Sequence, residues 1–432
     1  MEIKRYDDYI DSREAWLGQV PLDWTMVLLS QLVTPVKNKN IDLKEQNLLS
    51  LSYGKIKRKS IDTSGGLLPE SFDGYNIIEA NDIVLRLTDL QNDHTSLRVG
   101  LATERGIITS AYTTLRPKNP KSAKFLYYLI HSFDIRKGFY GMGSGVRQGL
   151  NYDEVKKLKL PTPSVGEQEA IADYLDSEIV RIDSIISEAK ASIEEYKAWK
   201  ASIIYEAVTK GLDPNVEMKD SGVEWIGKIP VGWNVQKLKT LVEEPLQYGA
   251  NEAGIEYDES LPRYIRITDV TANGELKEEG KLSLSEDIAA DYILNDGDIL
   301  LARSGGTVGK AFYYKAEYGR AAFAGYMIRA KINRKKIDPK LVYFSTLSAN
   351  YDDWKATSMT QATIQNIGAN KYNEFYIVVP PIEKQAELVS YLEEKVVQID
   401  NLIVEKESLI NDLESYKKSL IFEVVTGKRK VV

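Results

Sequence analysis

Residues Trp16–Trp24 read WLGQVPLDW, and residues Trp225–Trp233 read WIGKIPVGW. The pattern W-[LI]-G-x-[VI]-P-x-x-W therefore occurs twice, 209 residues apart, and contains four of the six tryptophans in the chain. A recurrence at so long a period is typical of a duplicated module and not of a short solenoid repeat.

Further matches extend the duplication through the rest of the chain. Asp82–Leu85 matches Asp298–Leu301, and Lys124–Tyr128 matches Lys340–Phe344, both at an offset of 216 residues. Single residues continue the series in the same order at an offset of 217: Gln168 with Gln385, Tyr174 with Tyr391, Asp183 with Asp400 and Glu206 with Glu423. The sequence thus consists of two complete modules.

Each module ends in a segment whose apolar residues recur at alternating intervals of three and four. These seams run from Ile171 to Ala207 and from Leu388 to Val424. Such spacing predicts an amphipathic helix that forms a coiled coil. Each helix is expected to have roughly 43 residues and a length of about 60 Å at 1.5 Å per residue.

The two helices are predicted to pair with each other in an antiparallel, pseudo-two-fold arrangement, because a lone helix would expose its apolar stripe. The alternative is that each helix packs only on its own globular domain. Lys200 and Lys417 interrupt the seams at the same place. They are interpreted as register devices, as contacts to an acidic partner, or as side chains that extend to solvent.

The predicted fold is mixed α/β, with two globular α/β domains separated by the pair of long helices. The predicted domains are residues 1–163, the first globular domain; 164–210, the first helix; 211–381, a linker and the second globular domain; 382–427, the second helix; and 428–432, a basic tail. Candidate strands are Ile107–Leu115, Tyr264–Thr268, Ala322–Ile332 and Phe375–Val379. Candidate short helices are Lys124–Arg136 and Pro339–Trp354.

Composition excludes several classes of function. The chain has no cysteine, which excludes disulfide scaffolds and thiolate metal sites. It has only two histidines, which disfavours zinc sites and histidine-based catalysis. It has neither an apolar run of membrane-spanning length nor an apolar signal core, so we expect no membrane association and a cytoplasmic location.

The net charge of the chain is −7, and the charges are distributed unevenly along the sequence. Residues 164–210 and 382–427 each carry a net charge of −5, residues 24–160 carry +7, and residues 234–381 carry −2. The first globular domain is therefore a candidate phosphate-binding surface. The acidic helices are better suited to protein partners than to DNA.

No catalytic motif is evident. Residues Ser304–Ala311 vaguely resemble a phosphate-binding loop, but Ser304 stands where glycine is needed and Ala311 where a magnesium-binding hydroxyl is needed. A tight turn, or backbone amides placed near a DNA phosphate, is the better interpretation. The Asn-Pro-Pro-aromatic motif of amino-methyltransferases is also missing.

The repeated residues resemble the specificity subunit of type I restriction–modification enzymes. The resemblance rests on the tryptophan motifs, on Pro161–Gln168 and Pro380–Gln385 with the helices after them, and on Glu206–Thr209 and Glu423–Gly427. It implies that the globular domains are target-recognition domains, each reading one half of a bipartite site in double-stranded DNA. The paired helices would act as a spacer between the half-sites.

The resemblance also implies partners. Two modification subunits that bind S-adenosylmethionine would dock on the helices, and restriction subunits that use ATP and magnesium would join them. The chain itself would have no active site, metal or cofactor. The alternatives are a protein-interaction scaffold without a DNA role, and a nuclease or methyltransferase whose site is not recognisable.

Candidate base-reading residues come from two kinds of position. Side chains suited to base edges or phosphates lie near the matched strands and in two loops. They are Arg86, Arg147, Gln148, Arg303, Lys310, Gln361, Thr363, Gln365 and Asn366. For each one, an ordinary surface role is the competing interpretation.

Overall fold

The computed structural model describes residues 4–61, 71–90, 92–93, 95–142, 149–271, 273–358 and 366–431. It divides into two compact units. The first unit comprises Met1–Glu188 with Leu409–Val432, and the second comprises Ala189–Ser408. Each unit therefore combines one globular domain with a segment of each long helix.

The first unit is built around an antiparallel sheet. Its strands are β1 (Tyr9–Asp11), β2 (Gln19–Pro21), β3 (Thr25–Leu28), β4 (Val33–Pro35), β5 (Leu49–Ser52), β6 (Lys55–Arg58), β7 (Asn76–Ile78), β8 (Ile83–Leu85), β9 (Val99–Leu101), β10 (Gly106–Ile108), β11 (Thr113–Pro117) and β12 (Lys159–Thr162). Its helices are α1 (Leu29–Leu32), α2 (Ala123–Ile135), α3 (Tyr152–Val155) and the first part of α4 (Val165–Lys210). The central sheet has the order β4-β11-β8-β9, and all of β8 is buried.

The second unit contains the rest of α4. Its strands are β13 (Met218–Asp220), β14 (Lys228–Pro230), β15 (Asn234–Lys237), β16 (Gln247–Tyr248), β17 (Ile255–Glu256), β18 (Arg263–Ile265), β19 (Leu282–Ser283), β20 (Ile299–Ala302), β21 (Ala311–Tyr313), β22 (Ala321–Phe323), β23 (Met327–Ala330) and β24 (Tyr376–Val379). Its helices are α5 (Leu238–Leu241), α6 (Glu286–Ala289), α7 (Pro339–Ser345), α8 (Ala349–Ser358), α9 (Ala369–Tyr372) and the first part of α10 (Ile382–Val425).

The two units share the topology of the central sheet and of two flanking strand pairs. The central sheet of the second unit, β16-β23-β20-β21, repeats the order of β4-β11-β8-β9 in the first. The pair β15–β24 repeats the pair β3–β12, and the hairpin β13–β14 repeats β1–β2. The prediction of a duplicated, mixed α/β fold is therefore confirmed.

The tryptophan motif contributes the second strand of a hairpin, β2 or β14, to each globular domain. Its glycine is required because Gly18 and Gly227 adopt φ values of 65° and 72°, which side chains with a Cβ rarely adopt. Trp16 packs edge-on against Phe133, with ring centroids 5.0 Å apart. Trp233 is buried in the core of the second unit. The repeated sequence pattern thus encodes a repeated hairpin and its packing.

Within each unit the two long helices pack against each other in antiparallel fashion. In the first unit, Asp183 in the first half of α4 forms a 2.5 Å ion pair with Lys417 in the second half of α10. In the second unit, Lys200 in the second half of α4 forms a 2.5 Å ion pair with Asp400 in the first half of α10. The antiparallel pairing is confirmed, and these contacts support the interpretation of both lysines as register devices.

The alternative, that each helix packs only on its own globular domain, is wrong. The Tyr9 hydroxyl of the first module donates a 3.0 Å hydrogen bond to the carbonyl oxygen of Gly427, just after α10. In the second unit, the Tyr205 hydroxyl near the end of α4 donates to the carbonyl oxygen of Ile226 at 3.2 Å. Each globular domain is thus completed by the helix that ends the other module.

No helix within the described residues combines the length and the apolar character needed to cross a lipid bilayer. In the same part of the chain, no group of three or more acidic, histidine or cysteine side chains is arranged to hold a metal ion. The expectation that the chain itself holds no cofactor stays a prediction.

Candidate nucleic-acid interface

In the first unit, the loop between β8 and β9 is organised by the buried side chain of Arg98. This side chain is fully inaccessible to solvent. Its guanidinium donates hydrogen bonds to four backbone carbonyl oxygens, those of Arg86 at 3.2 Å, Thr88 at 2.7 Å, Asp89 at 3.1 Å and Asp93 at 2.5 Å. Its Nε donates to the Tyr140 hydroxyl at 3.0 Å. Arg98 therefore joins four separate points of the loop.

A buried cation is costly unless hydrogen-bond acceptors replace its water. Here the carbonyl dipoles of the loop are the acceptors, so the loop and the Arg98 charge stabilise each other. The Tyr140 hydroxyl also donates to the carbonyl oxygen of Asp93 at 2.9 Å. The β8–β9 loop is consequently held from inside the domain, which leaves its outer side available to a ligand.

Two buried titratable groups lie on α2, and one of them, Asp134, contacts this loop. The Asp134 carboxylate accepts a 2.6 Å hydrogen bond from the backbone N–H of Arg98. Burial raises the pKa of Asp134 to about 6, although the Arg98 hydrogen bond and charge oppose the shift. One turn earlier, burial lowers the pKa of His131 to about 4, and the charge of Lys417 adds to that shift.

These two groups should have opposite effects on how stability depends on pH. Between pH 4 and 6 the folded chain binds more protons at Asp134 than the unfolded chain does, so its contribution falls as pH rises. At His131 the unfolded chain binds more protons, so that contribution rises between about pH 4 and 6.5. Relative to the parent chain, Asp134→Asn should gain on the order of 2–3 kcal/mol of stability from pH 4 to 7.

Urea unfolding at several pH values measures this difference. His131→Gln is the matched variant, and it should lose stability relative to the parent chain over the same range. A parallel pH dependence in all three proteins would contradict the assignment of opposed shifts.

Arg86 lies at the start of the β8–β9 loop and is half-buried. Its Nη1 is 3.8 Å from the Asp93 carboxylate. The candidates Arg147 and Gln148 lie outside the described residues. Leu150, just after them, donates its backbone N–H to the carbonyl oxygen of Leu87 at 2.9 Å. Leu150 is therefore held next to Leu87, the residue that follows Arg86.

Sequence reasoning missed a basic hairpin next to the same loop. Strands β5 and β6 are joined by Tyr53 and Gly54, whose φ values of 47° and 76° are typical of a type I′ turn. The Tyr53 side chain is 75% exposed at the tip. A Cβ on Gly54 would lie 3.0 Å from the Cβ of Leu97, so the tip packs against the β8–β9 loop. The run Tyr-Gly-Lys-Ile-Lys-Arg-Lys was the signal available in the sequence.

In the second unit, the corresponding connection between β20 and β21 is a tight turn. Gly305 and Gly309 adopt φ values of 77° and 83°, which explains why the turn is rich in glycine. The Tyr372 hydroxyl donates to the carbonyl oxygen of Ala302 at 2.8 Å. The Tyr351 hydroxyl donates to that of Gly309 at 2.9 Å. Two buried tyrosines therefore hold the ends of the turn.

The structure brings Arg303 and Asn366 together at this turn. Ile367 donates its backbone N–H to the carbonyl oxygen of Arg303 at 2.8 Å, and Ser304 and Asn366 form an antiparallel bridge. The Arg303 guanidinium lies 4.7 Å from the ring centroid of Tyr248, which is 41% exposed. Lys310 is exposed at the far end of the turn. The candidates Gln361, Thr363 and Gln365 lie outside the described residues.

The two surfaces share a backbone framework but not their side chains. Arg86 donates its backbone N–H to the carbonyl oxygen of Arg98, whereas in the second unit Ala302 donates to that of Lys310. Arg86 and Arg303 both follow matched strands, as the sequence indicates. They are nevertheless not counterparts. The carbonyl oxygen of Arg303 accepts a hydrogen bond from the backbone N–H of Ile367, just as the carbonyl oxygen of Leu87 accepts one from Leu150, so the counterpart of Arg303 is Leu87.

Comparison with known proteins gives consistent matches. The family model described as the type I restriction modification DNA specificity domain matches residues 21–195 and 230–414. The type I restriction enzyme MjaVIII specificity subunit of Methanocaldococcus jannaschii is 24% identical over 423 residues, which cover 96% of this chain and 94% of that protein. The StySPI specificity subunit of Salmonella potsdam is 21% identical over 324 residues, or 73% of this chain and 67% of that protein.

A solved structure shows the same fold. It comes from work on complex assembly and conformational transition of the type I R-M system, and it matches with a TM-score of 0.68 at 14% identity. The match covers 94% of this chain and 99% of that chain. At this level of identity, the similarity extends to the fold alone.

Proposed function

The chain belongs to the type I restriction–modification DNA specificity family, and we propose that its two units read different halves of a bipartite DNA site. As a specificity subunit it supplies sequence recognition and not catalysis. The β8–β9 loop with the β5–β6 hairpin is the proposed reading surface of the first unit. The β20–β21 turn with Arg303 and Asn366 is the proposed reading surface of the second.

The observation that carries this proposal is one framework with two sets of side chains. Leu87 in the first unit corresponds to Arg303 in the second, and the buried Arg98, which shapes the β8–β9 loop, corresponds to the exposed Lys310. Base sequence is read by donors and acceptors placed at base edges. Two domains with the same backbone and different side chains are therefore expected to recognise different half-sites.

The proposed complex contains partners that perform the chemistry. Two modification subunits would bind S-adenosylmethionine and dock on the acidic long helices, and restriction subunits would use ATP and magnesium. The paired helices would act as the spacer between half-sites. A protein-interaction scaffold without a DNA role is not favoured, because the matched relatives are named specificity subunits.

Exchange of one recognition domain tests whether each unit recognises its half-site independently. Residues 24–162, from just before β3 to the end of β12, are replaced by the same segment of another family member. One half of the methylated motif should change completely and the other half should stay the same, because the second unit is untouched. The motif is measured by sequencing modified bases in a host that expresses the chain with its modification subunits.

The reciprocal exchange of residues 233–379 is the control and should change the opposite half. A single exchange that altered both halves, or neither, would contradict independent reading by the two units.

A further inference from the structure

A basic pocket lies in the first unit, where the carboxyl end of α2 meets the carboxyl end of α10. Its volume is about 490 Å³. The cations that line it are Arg5, Arg136, Lys418 and Lys428, together with Ser419, Phe422 and a single carboxylate, Glu423. The Arg136 guanidinium stacks on the ring of Phe422 at 3.7 Å, which fixes its position. The pocket therefore presents several positive charges to one small volume.

These positive charges lack partners within the part of the chain that the structure describes. No carboxylate there forms an ion pair with any of the four cations. The Nζ atom of Lys428 is buried and has no hydrogen-bond partner among the described residues. Burial, with the neighbouring charge of Arg136, lowers the pKa of Lys428. An external anion would relieve this electrostatic cost.

The nearby negative charge is too small to balance the cations. Glu423 contributes one charge, and the two helix carboxyl ends contribute about half a charge each. Against four cations, roughly two positive charges stay uncompensated. Stabilisation of the helix ends therefore does not account for the whole cluster.

The duplication provides an internal comparison. Arg5 precedes β1 by four residues, as Pro214 precedes β13. Lys428 follows the glycine that ends α10, whereas Leu212 follows the glycine that ends α4. At the offsets that relate the two modules, the counterparts of Lys418 and Arg136 are Ala201 and Asp352. All four cations are absent from the equivalent places in the second unit, so the shared fold does not require them.

The pocket is close to the proposed reading surface of the first unit. Arg136 is four residues before Tyr140, whose hydroxyl bonds to Asp93 and Arg98 of the β8–β9 loop. Four residues span at most about 14 Å. A duplex carries one phosphate charge for about every 1.7 Å of its axis. A duplex that contacts the loop therefore carries phosphates spaced closely enough for one to lie at the distance of the pocket.

We propose that this pocket binds a backbone phosphate of the target DNA beside the half-site that the first unit reads. The proposal rests on the DNA-reading function proposed above. Because phosphates carry no base identity, the contact strengthens binding to all sequences and fixes the position of the first unit on the duplex. The second unit lacks this anchor.

The salt dependence of binding tests the proposal. Lys418→Gln and Lys428→Gln are each introduced into the full chain, and duplex affinity is measured by fluorescence anisotropy at several salt concentrations, with and without modification subunits. Loss of one phosphate contact should reduce the slope of log K against log salt by about 0.9. At ~0.1 M salt this corresponds to a roughly eightfold weaker affinity. The loss should be equal for target and unrelated duplexes.

Lys190→Gln is the matched control, because it removes the same charge from an exposed site on α4. It should leave the slope unchanged. Lys428→Gln also removes an unpaired buried cation, so its thermal midpoint should not fall, and reduced affinity cannot be ascribed to unfolding.

Tight DNA binding with an unchanged slope in both pocket variants would overturn the phosphate assignment. So would variants that keep the slope but lose assembly with modification subunits, which would identify an acidic protein segment as the ligand. If the parent chain and its complex bound no duplex at all, the proposed function itself would fail, and that result is distinct from either of these.

Discussion

Replacement of Arg98 by methionine is expected to lower the unfolding free energy of the first unit by about 3–5 kcal/mol, the usual range for breaking a buried charged network. Methionine fills much of the same volume but donates no hydrogen bond. Four loop carbonyl oxygens and the Tyr140 hydroxyl then lose their shared partner. Hydrogen exchange of the β8 and α2 amides, measured on the full chain, reports the stability of this unit separately.

The same variant should abolish recognition of one half-site, because the β8–β9 loop no longer holds its conformation. Arg98→Lys restores the charge but not the guanidinium fork, so we expect only partial recovery. Arg86→Met is the matched control for stability alone, since Arg86 is half-buried, its ion pair is long, and it is itself a candidate for reading bases. Full activity and full stability in Arg98→Met would show that the loop is organised by other contacts.

Charge reversal at Lys200 is expected to have the second largest effect. Lys200→Asp places a carboxylate against Asp400, where both side chains are about one-quarter exposed. Repulsion at this partly buried site should lower the unfolding free energy by about 2 kcal/mol. The exchanged pair Lys200→Asp with Asp400→Lys should recover most of that loss.

A double-mutant cycle in urea isolates the interaction energy of the pair. The equivalent cycle at Lys417 and Asp183 should give a smaller coupling, because Asp183 is 42% exposed. Lys190→Asp, an exposed site on the same helix, serves as the control for helix charge. A cycle with no coupling at either pair would show that the apolar seam alone sets the register.

The duplication and the long helices could be predicted because each produces a recurring pattern of residues in the sequence. The boundaries of the strands were harder to predict. Ile107–Leu115 looks like one strand, but it contains the end of β10, a turn, and the start of β11. Ala322–Ile332 likewise contains the end of β22, a turn and all of β23. A run of apolar and β-branched residues cannot indicate a tight turn that tertiary packing imposes.

The candidate sites were harder to predict from the sequence than the strand boundaries. Arg98 looks like any charged residue in the sequence, and only the folded loop reveals that carbonyl oxygens surround it. The offset of 216 residues that relates the two modules pairs Arg303 with Leu87, and the hydrogen bonds from Ile367 and Leu150 agree with that pairing. The sequence indicated Arg303 after a matched strand and Asn366 in a separate loop, and only the structure places them at one turn. Their role in reading bases stays a prediction.

The first unit draws on residues from both ends of the chain, since Leu409–Val432 pack with Met1–Glu188. During synthesis, the first globular domain therefore emerges from the ribosome long before the helix segment that closes it is made. Until then its apolar surface for α10 stays open. An incomplete translation product that stops before Leu409 should be a substrate for chaperones and proteases instead of a stray DNA-binding fragment.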